Sequence, residues 1–211
     1  MKEKKITDMM LIAQFKRGSI AAFDELVDRY ESQIFNLALR LTRNREDAEE
    51  VIQDVFTTVY RKVAGFEGKS AFSSWIYRIV VNSSFMKLRK RKQQRSMFFE
   101  DLSPSVKQQH LDNDPMFVSR SDSITYGREV RDEISHAVNR LPEQYRAVFV
   151  LRDVDGLTNQ EVGEILELSI PAVKSRLHRS RLMLRKKLLR YYREYTGRKD
   201  ITIEDINEDC G

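Results

Sequence analysis

Lys174, Ser175, His178 and Arg179 recur at helical spacing. At 100° per residue they occupy an arc of about 140°, with Lys174 at its edge. Ile170, Val173, Leu177, Leu184 and Leu188 fall outside that arc, on a separate apolar stripe. The first group combines ammonium, hydroxyl, imidazole and guanidinium functions. Such a set of hydrogen-bond donors can read guanine edges in the major groove of duplex DNA and grip its phosphates. Arg176 and Arg181 lie beside it. The competing reading is an amphipathic helix that packs on a partner protein.

A second set of cations, Lys87, Arg89, Lys90, Arg91, Lys92 and Arg95, lies in one run without an acid. A run of this kind is commonly a solvated helix face. Two acid-free runs, each closing a helical pattern, point instead to a polyanionic partner. The chain's net charge of +5 resolves along its length into blocks. Residues 1–92 carry +6, 93–127 carry −2, 128–190 carry +4 and 191–211 carry −3.

Chemistry of other kinds finds little support. The three histidines, His110, His136 and His178, are far apart, and the one cysteine, Cys210, can supply neither an internal disulfide nor a cysteine-based zinc site. No phosphate-binding glycine loop or nucleophile–base set stands out. The acids between Glu46 and Asp54 imitate a metal site, but their spacing fits a capped helix start and an exposed face. The expectation is a protein that is not an enzyme and needs neither cofactor nor metal. No apolar run approaches the roughly 18 residues of a membrane span, and the N-terminus lacks a secretory core, so no membrane insertion and a cytoplasmic location are expected.

The elements that must position these residues read as helices. Charged residues make up 33% of the chain and hydrophobic ones 41%, while Gly (8) and Pro (4) are few. Residues 8–41 hold two helical patterns broken at Gly18-Ser19. Residues 46–64 give the clearest helix, with Ala48, Val51, Ile52, Val55, Phe56, Val59 and Val63 on one side and Asp47, Glu50, Gln53, Asp54 and Thr57 on the other. Acids in its first turns suit the positive end of the helix dipole. The segment Gly65-Phe66-Glu67-Gly68-Lys69-Ser70 is a loop by its glycines, and a helix over about 71–92 follows. Residues 93–127, with Pro104, Pro115 and six serines, read as a linker too long for an ordinary loop. Helical pattern returns near 128. Thr158-Asn159-Gln160-Glu161 has capping-box spacing, Leu168-Ser169 makes a turn, and Pro171 stands in the first turn of the next helix, together a helix-turn-helix. The expected fold is all-α: two small helical domains joined by a long flexible linker. The divisions are 1–95, a linker 96–127, a second domain 128–190 and an acidic tail 191–211.

Both halves resemble a known family. The segment from Asp47 to Gln93, DAEEVIQDVFTTVYRKVAGFEGKSAFSSWIYRIVVNSSFMKLRKRKQ, resembles region 2 of the extracytoplasmic-function sigma factors, a group within the bacterial sigma-70 family. The segment from Leu141 to Leu188, LPEQYRAVFVLRDVDGLTNQEVGEILELSIPAVKSRLHRSRLMLRKKL, resembles their region 4. Order and spacing agree, and no region 3 domain intervenes, as in that group.

The resemblance implies a subunit that lends promoter recognition to core RNA polymerase and promotes melting of promoter DNA. Asp47, Glu50, Gln53 and Asp54 would form the face that docks on the β′ clamp coiled coil, with the β flap as a second polymerase contact. The loop from Phe66 to Phe72, with Lys69, Ser70 and Asn82, would make a pocket for a flipped base of the −10 element. Arg78, Lys87, Arg89 and Lys90 would hold phosphates there, while Phe72 and Trp75 are expected in the core. Lys174, Ser175, His178 and Arg179 would read the −35 element, with Arg176 and Arg181 on its backbone. His178 departs from the aromatic often found at its position, and Gly163 stands where the family usually has alanine; close packing on the following helix would explain the glycine. The acidic linker would thread the polymerase cleft, and an anti-sigma factor is a further possible partner.

Overall fold

The computed structural model describes residues 6–100 and 126–196. They divide into two compact units, one on each side of residues 101–125. Every regular element among the described residues is helical.

The first unit holds α1 (Asp8–Lys16), α2 (Ile20–Thr42), α3 (Arg45–Lys62), a short 3-10 turn (Val63–Gly65) and α4 (Phe72–Glu100). The break at Gly18 is a left-handed residue, φ +96°, a conformation glycine adopts without a Cβ penalty. Between α2 and α3 the chain turns in two residues. Arg43 closes α2 in the left-handed region, φ 61°, its N–H donating to Leu39 O, and the Asn44 side chain accepts from the Asp47 N–H at 2.7 Å to cap α3. Both ends of that turn thereby satisfy backbone groups that a helix leaves without partners. Leu26, Ile34, Leu37 and Leu41 of α2, Val51, Val55 and Val59 of α3, and Ile76, Val80 and Leu88 of α4 close the core between them.

The helix α4 reaches Glu100, past the helix end expected near residue 92 and into the expected linker 96–127. Lys, Gln, Arg and Met are strong helix formers and continue a helix already nucleated, without needing the apolar stripe that periodicity detects.

The second unit holds α5 (Tyr126–Asn139), α6 (Glu143–Phe149), a π-helical turn (Val150–Val154), α7 (Asn159–Leu166) and α8 (Ile170–Thr196). Its core joins Ala137, Leu141 and Leu184, with Val138, Phe149, Met183 and Leu188 packed against them. The guanidinium of Arg146 is fully buried and donates to the carbonyls of Asn139 and Leu141 at 3.3 and 3.1 Å, capping the end of α5. The α8 helix extends past residue 190, the expected end of this domain, to Thr196. The linker's acids from 101 to 125, the tail from 197 and Cys210 lie outside the described residues.

Candidate nucleic-acid interface

In the second unit the expected helix-turn-helix is built as its caps require. The Glu161 N–H donates to Thr158 Oγ1 at 3.2 Å, and Glu161 Oε2 accepts from the Thr158 N–H at 2.7 Å. These two bonds close the capping box of α7. The Thr158 N–H, the larger cause, and the Thr158 hydroxyl, which also donates to Glu161 Oε2 at 2.7 Å, hold the Glu161 carboxyl below its ordinary value. Ser169 Oγ accepts from the Ala172 N–H at 3.4 Å at the start of α8. Gly163 has a different reason from the one expected. A Cβ there would stand 2.8 Å from the Leu168 carbonyl oxygen, so glycine admits the backbone of the turn, while Val173 of α8 is 3.9 Å away.

With the turn so set, Val173, Leu177 and Leu184 face inward. Ile170, counted with them in sequence, is 46% exposed at the first position of the helix. Lys174, Ser175, His178 and Arg179 are all exposed, and Arg176 is half-buried. Arg181, expected as a DNA-backbone clamp, is bridged within the unit while its side chain stays 58% exposed. Its Nε and Nη2 donate to Asp153 Oδ2 and Oδ1 at 2.8 and 2.7 Å, a bidentate pair that occupies the guanidinium within the unit. The hydrogen bonds to Asp153 raise the Arg181 pKa. Asp153 stands in the π-helical turn, where Asp155 N–H reaches back to Val150 O at 2.8 Å, and this wider turn carries the carboxylate to α8. Asp153 had no signal in the sequence as a partner of Arg181.

In the first unit the expected residues separate by helix geometry. At 100° per residue Arg78, Asn82 and Arg89 fall within about 40° of one another on α4, and Lys87 lies about 180° from Arg78. Asn82, Arg89 and Lys90 are exposed and Arg78 half-buried. Lys87 turns to α3 instead, donating to Glu50 Oε2, with Asp47 Oδ1 at 3.5 Å. Its pKa is raised, first by the bond to Glu50. Lys87 is therefore not a free phosphate grip.

Asp47 is corrected likewise. Its side chain is 12% exposed and binds Arg91 Nη1 at 3.0 Å, which ties α3 to α4 and withdraws it from the docking face. Glu50, Gln53 and Asp54 stay exposed, Glu50 at one edge in its pair with Lys87.

Phe66 is the third correction in this unit. Its ring is 6% exposed and packs with Phe72 at 5.6 Å and Trp75 at 5.4 Å, so it serves the core and not the rim of a pocket. An aromatic after a glycine in a short loop carries no periodicity that reveals its direction. Phe72 is in the core as expected. Lys69 and Ser70 stand exposed, with Lys69 paired to Glu67 at 2.5 Å.

Residues 26–94 match the sigma-70 region 2 family, and residues 131–184 match sigma-70 region 4. The ECF RNA polymerase sigma factor SigW of Bacillus subtilis (strain 168) is 33% identical over 177 residues, which cover 84% of this chain and 94% of that one. This chain belongs to the extracytoplasmic-function sigma factors. The sigma-E factor of Escherichia coli (strain K12) shares 28% identity over 182 residues, 84% of this sigma factor and 92% of its relative. Two solved structures share the fold. CnrH in complex with the cytosolic domain of CnrY has a TM-score of 0.60 at 23% identity, covering 86% of this chain and 96% of its own. The sigma factor RpoE with the anti-sigma factor NepR, from Bartonella quintana, has a TM-score of 0.58 at 23% identity, covering 80% and 98%. As a member of the family, this sigma factor works in transcription initiation with RNA polymerase and promoter DNA. Among the described residues no helix is long and apolar enough to cross a membrane.

Proposed function

We propose that this sigma factor divides promoter recognition between its two units and performs no catalysis of its own. The supporting observation is a donor face left exposed on each: Asn82, Arg89 and Lys90 on α4, and Lys174, Ser175, His178 and Arg179 on α8. In this reading Glu50, Gln53 and Asp54 meet a cationic helix pair of the polymerase β′ subunit. The loop over residues 66–71 and Asn82 take a base of the −10 element out of its stack. Arg78, Arg89 and Lys90 hold the adjacent phosphates. Helix α8 enters the major groove at the −35 element.

The working divisions follow the helices: a docking and melting unit through Glu100, a connecting segment, and a −35 unit from residue 126 to 196. The protein acts in the cytoplasm, where polymerase and promoter are. An anti-sigma factor, the kind of partner in the Bartonella complex, would cover the same exposed faces.

Run-off transcription with purified core polymerase tests this. The expected result is initiation at promoters with defined −10 and −35 elements. Failure to associate with core polymerase, together with tight sequence-specific duplex binding by the free chain, would favour a stand-alone regulator and overturn the proposal.

A further inference from the structure

The loop over residues 66–71 has little structure of its own. It leaves the 3-10 turn at Phe66, passes through Gly68 at φ +74° and enters α4. Part of what holds it comes from α1, a helix ahead of residue 26 and so outside the span that matches region 2. The Lys16 ammonium donates to the Phe66 carbonyl oxygen at 3.0 Å. Two turns earlier on α1, Met9 reaches the loop's glycine. A Cβ at Gly68 would lie 3.2 Å from Met9 Cε, so the thioether fills the space above the loop backbone.

The helix that makes these contacts is itself anchored. Asp8 accepts hydrogen bonds from the Tyr30 hydroxyl and from Arg29 Nη1, each at 2.5 Å. The Tyr30 ring packs on Phe72 at 5.3 Å, and Phe72 packs on Phe66. Phe66 O and Gly68 are thus two points at which α1 meets the loop. A loop ordered before it meets its ligand binds with a smaller entropic cost than one ordered on contact.

We infer that α1 positions the loop, with Lys16 and Met9 as positioning residues for base capture. They touch no base. They fix where the backbone from Phe66 to Ser70 stands, and through it which base the first unit accepts. This inference rests on the assignment of the loop to the −10 element only in its functional arm; the positioning itself can be read in the free protein.

The chain's one tryptophan supplies the readout, because Trp75 packs on the Phe66 ring at 5.4 Å. Lys16→Met keeps the aliphatic stem and removes the donor. In the full chain, acrylamide quenching of Trp75 is expected to rise in Lys16→Met and to return towards the parent value in Lys16→Arg. Met9→Ala should shift it in the same direction. With core polymerase added, open-complex formation should fall by roughly two- to tenfold, the worth of one hydrogen bond, and −10 base preference should flatten, with −35 duplex binding unchanged. Unchanged Trp75 quenching in both Lys16→Met and Met9→Ala would overturn the inference. So would a loss of thermal stability in Lys16→Met that Lys16→Arg fails to restore, which would make α1 a structural support only. A shift in quenching with −10 preference untouched would leave the positioning standing and remove the loop from base capture.

Discussion

The basic runs of α4 and α8 resemble one another in composition, yet the fold uses them differently. On α4 the cations are sorted. Lys87 and Arg91 turn inward to Glu50 and Asp47, and Arg89 and Lys90 remain outside. On α8 Lys174, Ser175, His178 and Arg179 are left to solvent, and Arg181, further along, pairs with Asp153. Charge in the first unit therefore holds two helices together as well as meeting a partner. In the second unit the exposed donors of α8 stand apart from that bracing. The same contrast runs through the aromatic side chains. Phe66 is tucked into the core, so the first unit presents backbone and polar groups at its loop, whereas the exposed donors of α8 are Lys174, Ser175, His178 and Arg179, none of them Phe, Tyr or Trp.

The sharpest way to break this contrast is Asp47→Ala. It leaves Arg91 and Lys87 half-buried without their shared carboxylate. Removing one partner of a fully buried pair costs about 3–5 kcal/mol, and partial exposure here should reduce that to about 1–3 kcal/mol. Urea denaturation should show a lower midpoint for the first unit. A midpoint equal to that of the parent would mean that the clasp contributes nothing.

Arg179→Ala should do the reverse. Folding stability should be unchanged, while −35 duplex affinity within the polymerase complex falls by about 1–3 kcal/mol at the base it reads. A fall of equal size on every −35 variant would show a phosphate contact instead, and would blur the contrast.

The smallest effect tests the scaffold of the second unit alone. Glu161 has a folded-state pKa below its ordinary value of 4.5. The capping box therefore contributes fully above that value and is lost as pH falls through the lowered one. Thr158→Ala should cost about 1 kcal/mol at neutral pH. The difference between parent and variant should shrink in acid, as followed by thermal melting across pH 3–7.

Much of this was legible in advance, for a physical reason. Apolar periodicity is strong wherever a helix has one buried face, and α2, α3 and the α7–α8 pair have such faces. The capping box at Thr158 is local chemistry, and it could be read directly. The far end of α4 lies beyond the expected helix because Gln93, Gln94, Arg95 and Ser96 are polar in succession and carry no apolar period. The π-helical turn was missed because Val148, Phe149, Val150 and Leu151 form a continuous apolar run that fits more than one period. Asp47, Lys87 and Arg181 were assigned to partners because their own partners are distant in sequence: Arg91 lies 44 residues from Asp47, and Asp153 lies 28 from Arg181. Composition shows that a charge exists; only the packing of helices shows whether it is already taken.

The bridge between Arg181 and Asp153 also has a mechanical meaning. Helix α8 has 27 residues, which at 1.5 Å each makes a rod of about 40 Å. Pivoted at the Leu168 turn, a rod of that length would swing its far end by roughly 7 Å for a tilt of about 10°. Arg181 meets the π-helical turn at about 16 Å along the rod, where it acts as a stay. Side chains ahead of the stay are held in alignment. Beyond it the rod is held again, where Leu184 joins Ala137 and Leu141 in the core and Met183 and Leu188 pack against them.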